Sequence, residues 1–171
     1  MNTKYPNNID PSSFEDFKFI TDASLGRLAK WLRILGYDTV LFPNQTGREM
    51  LRKAATEGRI VLTRRKDMIE RQFSGWLFLI LGVDFIGQLN DVIGKYSLKI
   101  DQQKMFGICL ECNEKLYPMA REEVRDLVPL FVFENCTEYN QCPSCHNVYW
   151  AGTHQRNALT FMKKHIPQYL S

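Results

Sequence analysis

The chain contains no long hydrophobic run. Its most apolar stretch, residues 76–83, spans eight residues, far fewer than the roughly 20 that a membrane-spanning helix needs. The first 17 residues contain no apolar segment of signal-peptide length. We therefore expect a cytoplasmic protein that makes no membrane contact. In that compartment cysteines bind metals more often than they form disulfides.

Internal repeats, low-complexity tracts and a strong overall charge are also absent. With 171 residues, 44% of them hydrophobic, the chain can form one core and a small appended module. Residues 1–100 hold 15 Lys and Arg against 11 Asp and Glu, and residues 101–171 hold 7 against 8. The first section is therefore the better partner for a polyanion, although a solvated basic face explains the same balance. We expect no small-molecule organic cofactor.

Four of the five cysteines form two CxxC pairs, Cys109-Leu-Glu-Cys112 and Cys142-Pro-Ser-Cys145. Two intervening residues let one tight turn direct two thiolates at one ion, so the pattern indicates a structural Zn²⁺ site. Asn113 is placed to form the turn of the first knuckle, and Pro143 and Ser144 are placed to form the turn of the second knuckle. The 29-residue gap between the pairs is long, and two disulfides or unrelated core cysteines are the alternative. Cys136 is expected to be a buried structural thiol.

Apolar periodicity predicts an α/β fold in the first part of the chain. Short runs with apolar centres alternate with segments whose apolar residues recur at three- and four-residue steps, which is typical of parallel strands between amphipathic helices. The predicted strands are residues 17–21, 39–42, 59–63 and 76–80, and the predicted helices are residues 25–35, 49–56 and 84–96. Gly36 and Gly58 are expected to end the first two helices.

Three sections follow from this pattern. Residues 1–16 are polar and predict a flexible leader. Residues 17–100 form the α/β domain, and residues 101–171 form a zinc ribbon with a C-terminal tail. Within the last section, the predicted ribbon strands are residues 131–133 and 148–150, and the predicted closing helix is residues 154–165.

Three acids lie near the predicted strand ends. Asp22 directly follows the first strand, Asp67 lies four residues past Thr63, and Glu49 begins the second helix. The carboxyl ends of parallel strands form the functional crevice of an open sheet, and clustered carboxylates suit Mg²⁺ or Mn²⁺. Such ions activate water and neutralise the charge that develops on a phosphodiester. Alternatively, Asp22 caps the next helix and Asp67 pairs with a nearby cation.

Cationic side chains near these acids are candidates for contact with the phosphate backbone of a nucleic acid. They are Arg27, Arg64, Arg65 and Lys66. Arg27 is also spaced with Lys30 and Arg33 on the polar side of one helix, where a solvated face is the commoner explanation. Trp31 fits a core or interface position better than a base-stacking one. His154 either orients a phosphate, bridges the two modules or makes a structural hydrogen bond.

Several stretches of this chain resemble, in order, the motifs of the Mut-seven C-terminal RNase domain family. They are residues 19–39 (FITDASLGRLAKWLRILGYDT), residues 58–64 (GRIVLTR), both CxxC pairs and residues 141–154 (QCPSCHNVYWAGTH). The resemblance covers roughly residues 17–157. It implies a PIN-like parallel sheet flanked by helices and followed by a C-terminal zinc ribbon. It also implies a metal-dependent endoribonuclease that hydrolyses RNA phosphodiesters.

By position, the resemblance makes Asp22 the first catalytic acid, Asp67 the last acid of the third-strand motif and Glu49 one acid at the second helix. The chain departs from the family in two places. The acid-rich start of the second helix reads Thr46-Gly-Arg-Glu49, and Arg65 stands where members usually carry an acid. A guanidinium at that position repels Mg²⁺, so we expect weakened cleavage. The alternatives are a non-catalytic RNA-binding or ribosome-associated zinc-ribbon module and a protein-interaction adaptor.

Overall fold

A computed structural model describes residues 3–4, 17–43 and 46–169 of the chain. The strands are β1 (Thr3–Lys4), β2 (Phe19–Asp22), β3 (Thr39–Phe42), β4 (Ile60–Thr63), β5 (Leu77–Leu79), β6 (Tyr117–Met119), β7 (Tyr139–Gln141) and β8 (Val148–Trp150). The helices are α1 (Gly26–Ile34), α2 (Gly47–Glu57), α3 (Phe85–Tyr96), α4 (Leu130–Asn135) and α5 (Thr153–His165). The four strands and three helices predicted for residues 17–100 all form, with shifts of a few residues at their ends.

Strands β5, β4, β2 and β3 form a parallel sheet in that order, and β1 pairs antiparallel with β5 at one edge. Every residue of β2 and β4 is buried, which explains their continuous apolar character. The chain passes from β2 to β3 on one side and returns to β4 on the other side of β2. The topological switch point of the sheet therefore lies between β2 and β4.

Helices cover both faces of this sheet. On one face, α1, α3 and α5 enclose a core that includes Phe19 and Leu62. On the other face, α2 and the turn at Met68 pack against Ile20 and Val61. Side chains alternate across a strand, so neighbouring residues of β2 and β4 enter different cores. The predicted α/β architecture with a covered parallel sheet is confirmed.

Glycines end the first two long helices, as the sequence predicted. Gly36 and Gly58 have φ values of 90° and 63°, which side chains with a Cβ rarely adopt. At Gly36 a Cβ would also lie 2.6 Å from the carbonyl oxygen of Lys104. The turn after α1 thus contacts the segment that leads into the cysteine-rich part of the chain.

The cysteine-rich part contains a three-stranded antiparallel sheet in the order β6-β7-β8. Residues 120–138 lie between β6 and β7 and form a small core around Val124, Val128 and Tyr139. This insertion accounts for the long gap between the two CxxC pairs. It also carries Cys136, which is half-buried against the small core.

The predicted strand at residues 131–133 is wrong, because these residues belong to α4. Short apolar runs do not distinguish a strand from a helix. Here Pro129 accepts the first helical hydrogen bonds from Val132 and Phe133, and both of these residues pack against the small core. Consecutive residues share that contact in a helix, whereas in a strand they would point to opposite sides.

The predicted closing helix is confirmed as α5, which packs on the parallel sheet through Met162 and Ile166. The division at residue 100 stays a prediction, and so does the flexible leader, because most of residues 1–16 lie outside the described residues. Thr3 and Lys4 alone are described there, as β1. No helix in the described part of the chain combines the length and apolar character that a membrane crossing requires.

Candidate active site and zinc centre

Asp22 lies at the switch point of the parallel sheet, at the carboxyl end of β2. Its side chain is held from two sides. Oδ1 accepts hydrogen bonds from the backbone N–H (3.0 Å) and the hydroxyl of Ser24, so Asp22 caps the turn that leads into α1. Oδ2 accepts a hydrogen bond of 2.7 Å from the hydroxyl of Thr63 at the end of β4. Asp22 is 8% exposed.

Thr63 links Asp22 to the loop after β4. Its hydroxyl, on a fully buried residue, donates to Asp22 and accepts a 3.1 Å hydrogen bond from the backbone N–H of Arg65. The backbone N–H of Arg64 adds a longer contact of 3.4 Å to Asp22. The sequence did not indicate this role for Thr63, because the pairing of β2 with β4 is a property of the tertiary fold.

Asp67 forms ion pairs with two arginines. Arg65 donates two hydrogen bonds to its carboxylate, at 3.1 and 2.9 Å, and Arg71 donates a third at 3.2 Å. The hydrogen bond from Arg65 is the main cause that lowers the pKa of Asp67, and Arg71 adds to it. The pairing of Asp67 with nearby cations, the alternative drawn from the sequence, is therefore what the structure contains.

Glu49 is exposed in the first turn of α2, where it accepts a 2.6 Å hydrogen bond from the hydroxyl of Thr46. The four paired cysteines are one group of potential metal ligands, with ligand atoms within 4.8 Å of one another. Within residues 17–43 and 46–169, no other group of three or more such side chains is found. The structure thus does not bring the carboxylates of Asp22, Glu49 and Asp67 together as one such group. Their catalytic assignment stays a prediction.

The predicted phosphate contacts lie near the same edge of the sheet. Arg64 and Lys66 are exposed in the loop after β4, while the guanidinium of Arg65 is turned towards Asp67. Arg27 is exposed in the first turn of α1, with its guanidinium carbon 4.2 Å from the ring centre of Phe85. These positions are compatible with contact to an RNA backbone, and that contact stays a prediction.

The four paired cysteines form the second site, with their sulfur atoms within 4.8 Å of one another. Four thiolates about 2.3 Å from a tetrahedral Zn²⁺ lie about 3.8 Å apart, and the Sγ atoms of Cys109 and Cys145 are separated by 3.7 Å. All five cysteines of the chain are free thiols. The cluster therefore fits a four-thiolate zinc centre, and the alternative of two disulfides is wrong.

The two CxxC knuckles have the same backbone geometry. In the first, the N–H of Asn113 donates to the carbonyl of Cys109, and in the second the N–H of His146 donates to the carbonyl of Cys142, both at 3.0 Å. Asn113 and His146 have φ values of 65° and 59°. His146 thus makes the left-handed turn of the second knuckle, a role that the sequence analysis had given to Pro143 and Ser144.

Tyr149 supports the zinc centre from β8. Its hydroxyl lies 3.1 Å from the Sγ of Cys109, and the N–H of Cys112 lies 3.3 Å from the same sulfur. Burial acts to raise the pKa of Cys109, yet hydrogen bonds, with that of Tyr149 the largest and that of the Cys112 N–H next, lower it to about 7. A thiol with a lowered pKa is more readily deprotonated and so binds a metal more readily.

Arg33 joins the zinc centre to the parallel sheet. Its side chain is only 4% exposed, so its placement on a polar helix face was wrong. It donates to the carbonyl of Thr39 at 2.8 Å and to the carbonyls of Leu110 and Glu111 in the first knuckle. Burial lowers the pKa of Arg33. Lys30, on the same helix, pairs with the Glu111 carboxylate at 2.6 Å.

Asn113 makes the second connection between the two modules. Its Oδ1 accepts a 2.7 Å hydrogen bond from the N–H of Thr39, and its Nδ2 donates to the Asp38 carboxylate. Asp38 is also bound by Arg59, with the shorter contact at 2.6 Å. The residue that turns the first knuckle therefore also holds the start of β3. The sequence signalled the turn but not this contact.

The sequence model of the Mut7-C RNAse domain family matches residues 17–162. This match spans the parallel sheet, both CxxC pairs and most of α5, so the chain belongs to the Mut7-C RNase domain family. No curated protein and no solved structure matches this chain. Membership supports a nuclease-like function and suggests RNA as the substrate.

Proposed function

We propose that this chain is an endoribonuclease of the PIN-like type, dependent on Mg²⁺ or Mn²⁺, whose activity is weakened by the loss of family acids. The position of Asp22 is the observation that carries this proposal. The resemblance makes it the first catalytic acid, it lies at the switch point between β2 and β4, and three donors fix its carboxylate. A crevice at that point is where open parallel sheets act on their ligands.

The residues present fit a catalytic ion only in part. Asp22 offers a carboxylate, but Asp67 is neutralised by Arg65 and Arg71, and Glu49 is bound to Thr46. When bound, a divalent ion supplies an activated water and neutralises phosphodiester charge. The chain's own groups supply the fixed carboxylate of Asp22 and the cations of the loop after β4.

The ion pairs of Asp67 with Arg65 and Arg71 favour a second candidate function, an RNA-binding module that does not cleave RNA. In that case the exposed cations of the loop after β4 would contact phosphates, and Asp22 would act only as a helix cap. The salt dependence of binding would then be strong, because phosphate contacts release counterions.

One experiment separates the two functions. Labelled RNA is incubated with the protein in the presence of Mn²⁺ or of EDTA, and the Asp22→Asn variant is compared with Asp84→Asn. Asp84 caps α3 through the N–H of Gly87, and Asn caps helices as well as Asp does, so Asp84→Asn controls for capping alone. We expect Mn²⁺-dependent cleavage by the wild type and the control, and none by Asp22→Asn. Salt-sensitive binding without cleavage by the wild type would instead establish the second candidate.

The four-cysteine cluster would hold Zn²⁺ in a structural role. A site closed by four thiolates leaves no open position for a reacting water, so the ion would not take part in hydrolysis. Zinc would instead fix the first knuckle, which accepts a hydrogen bond from Arg33 of α1 and contacts β3 through Asn113. We expect one zinc per chain by elemental analysis.

A further inference from the structure

Helices α1 and α5 share a charge composition that differs from that of α2 and α3. Neither α1 nor α5 contains Asp or Glu, whereas α2 contains Glu49 and Glu57 and α3 contains Asp91. The cations on the two helices are Arg27, Lys30 and Arg33 on α1 and Arg156, Lys163 and Lys164 on α5. Arg33 is buried and Lys30 is paired with Glu111, whereas Arg27 and Lys164 are exposed. Exposed cations on helices that contain no acidic residue favour contact with a polyanion.

Aromatic rings lie between the two helices in a continuous series. The Arg27 guanidinium lies over Phe85, the Phe85 ring centre is 5.9 Å from that of Phe161, and Phe161 is 4.4 Å from His165. We call these four side chains, the Arg27 guanidinium and the rings of Phe85, Phe161 and His165, the ring row. Trp31 packs beside it, 4.7 Å from Phe161. The three rings of the row are half-buried, so each keeps part of its surface in contact with solvent.

The ring row begins next to the candidate active site. Arg27 follows Asp22 by five residues and lies in the first turn of α1, and Phe85 begins α3 just after β5. From there the row leads onto α5, away from the carboxyl edge of the sheet. Half-exposed rings flanked by cations are the combination that holds single strands, because bases stack on the rings while the cations contact the backbone.

One flank of α5 extends this surface. His154, Asn157, Phe161 and Lys164 are separated by steps of three, four and three residues, which places them along the same side of the helix. The first, second and fourth of these are exposed. Lys163, only one residue before Lys164, is rotated about 100° around the helix axis. The two lysines therefore carry the same charge on different sides of α5.

We propose that the face formed by α1 and the Phe161 flank of α5 binds the single-stranded RNA that extends from the candidate active site. The ring row stacks bases, and Lys164 and His154 contact phosphates. Paired bases in a duplex are not free to stack on protein rings, so this face selects single strands. This inference rests on the proposed function, since it assumes that RNA is the substrate.

The test measures binding of a fluorescent 12-nucleotide oligouridine by anisotropy, with no added divalent cation. Lys164→Gln is expected to weaken binding severalfold and to lower the slope of log affinity against log salt by about 0.7. Lys163→Gln is the matched control and leaves both nearly unchanged. Phe161→Leu, which keeps an apolar side chain, is expected to weaken binding about tenfold, whereas Phe161→Tyr, which keeps the ring, does not. Thermal melting verifies that each variant is folded.

Three outcomes would overturn the inference. Equal losses from Lys163→Gln and Lys164→Gln would show that only general charge matters. Equal affinity for a duplex of the same length would remove the argument from stacking, and unchanged binding by Phe161→Leu would remove the role of the ring row. In each of these cases the proposed function stands if the wild type still cleaves RNA with Mn²⁺. A wild type that neither binds nor cleaves RNA would overturn both.

Discussion

Replacing Asn113 with glycine should destabilise the parallel sheet, although Asn113 belongs to the zinc knuckle. The substitution keeps the left-handed turn, because glycine adopts the φ of 65° found there. It removes the hydrogen bond of 2.7 Å from the N–H of Thr39, a fully buried residue, and the bond to the Asp38 carboxylate. An unpaired buried N–H costs about 1–3 kcal/mol, and the second bond contributes about 1 kcal/mol. The free energy of unfolding should therefore fall by about 2–4 kcal/mol.

Two comparisons separate the contributions. Asn113→Ala loses the same hydrogen bonds but, unlike glycine, keeps a Cβ in the left-handed region, so it should be about 1–2 kcal/mol less stable than Asn113→Gly. His146→Gly is the matched control, because His146 has the equivalent turn in the second knuckle, with a φ of 59° and an exposed side chain. It should change stability by less than about 1 kcal/mol.

Urea unfolding gives the free energies, and amide hydrogen exchange gives the location of the effect. The N–H of Thr39 should be protected in the wild type and in His146→Gly, and should exchange faster in both Asn113 variants. If Asn113→Gly changed stability no more than His146→Gly and left the Thr39 amide protected, the inferred link between knuckle and sheet would be refuted.

Three further changes test other parts of the structure. Removal of zinc by a chelator, or by Cys145→Ser, should unfold residues 105–150 but preserve the centre of the parallel sheet. Circular dichroism combined with zinc analysis measures the loss of structure, and an unaltered ribbon in the metal-free protein would count against this prediction. Arg65→Asp should release Asp67 and raise Mn²⁺ affinity in calorimetry, whereas Arg65→Gln should raise it less; equal effects would argue against added metal ligation. The hydrogen bond from Lys53 lowers the pKa of Glu57, and that from Arg59 lowers it further. The ionised Glu57 carboxylate therefore stabilises the fold above the unfolded pKa of about 4.3, and this stabilisation is lost as the pH falls through the lower folded pKa. An NMR titration that returned an ordinary pKa for Glu57 would contradict this assignment.

The α/β domain was predictable because its signals are local. The apolar centres of β2 and β4 and the glycines after α1 and α2 act through backbone conformation and burial within a few residues of chain. The zinc ligands were predictable for the same reason, since two residues between cysteines suffice to define a knuckle. Where a local signal was ambiguous, as for the apolar run that became α4, the prediction failed.

The contacts around the candidate active site were less predictable. The hydrogen bond between Asp22 and Thr63 joins residues 41 positions apart and depends on β4 pairing with β2. The resemblance places Arg65 where family members carry an acid, but the pairing of Arg65 with Asp67 depends on how the loop after β4 turns. Arg33 was wrongly assigned to a solvated face. Two of the carbonyls that accept its hydrogen bonds belong to the first knuckle, 77 and 78 residues away along the chain, so no local pattern indicates them.

The sequence by itself determined the sheet, its helices and the four thiolates, because apolar periodicity, glycine conformations and short ligand spacings are encoded within a few residues. Tertiary structure alone decided three other contacts: Asp22 to Thr63, and Arg33 and Asn113 across the two modules. A charged or amide group must find its partner wherever the fold presents one, and the distance along the chain gives no indication of where that is.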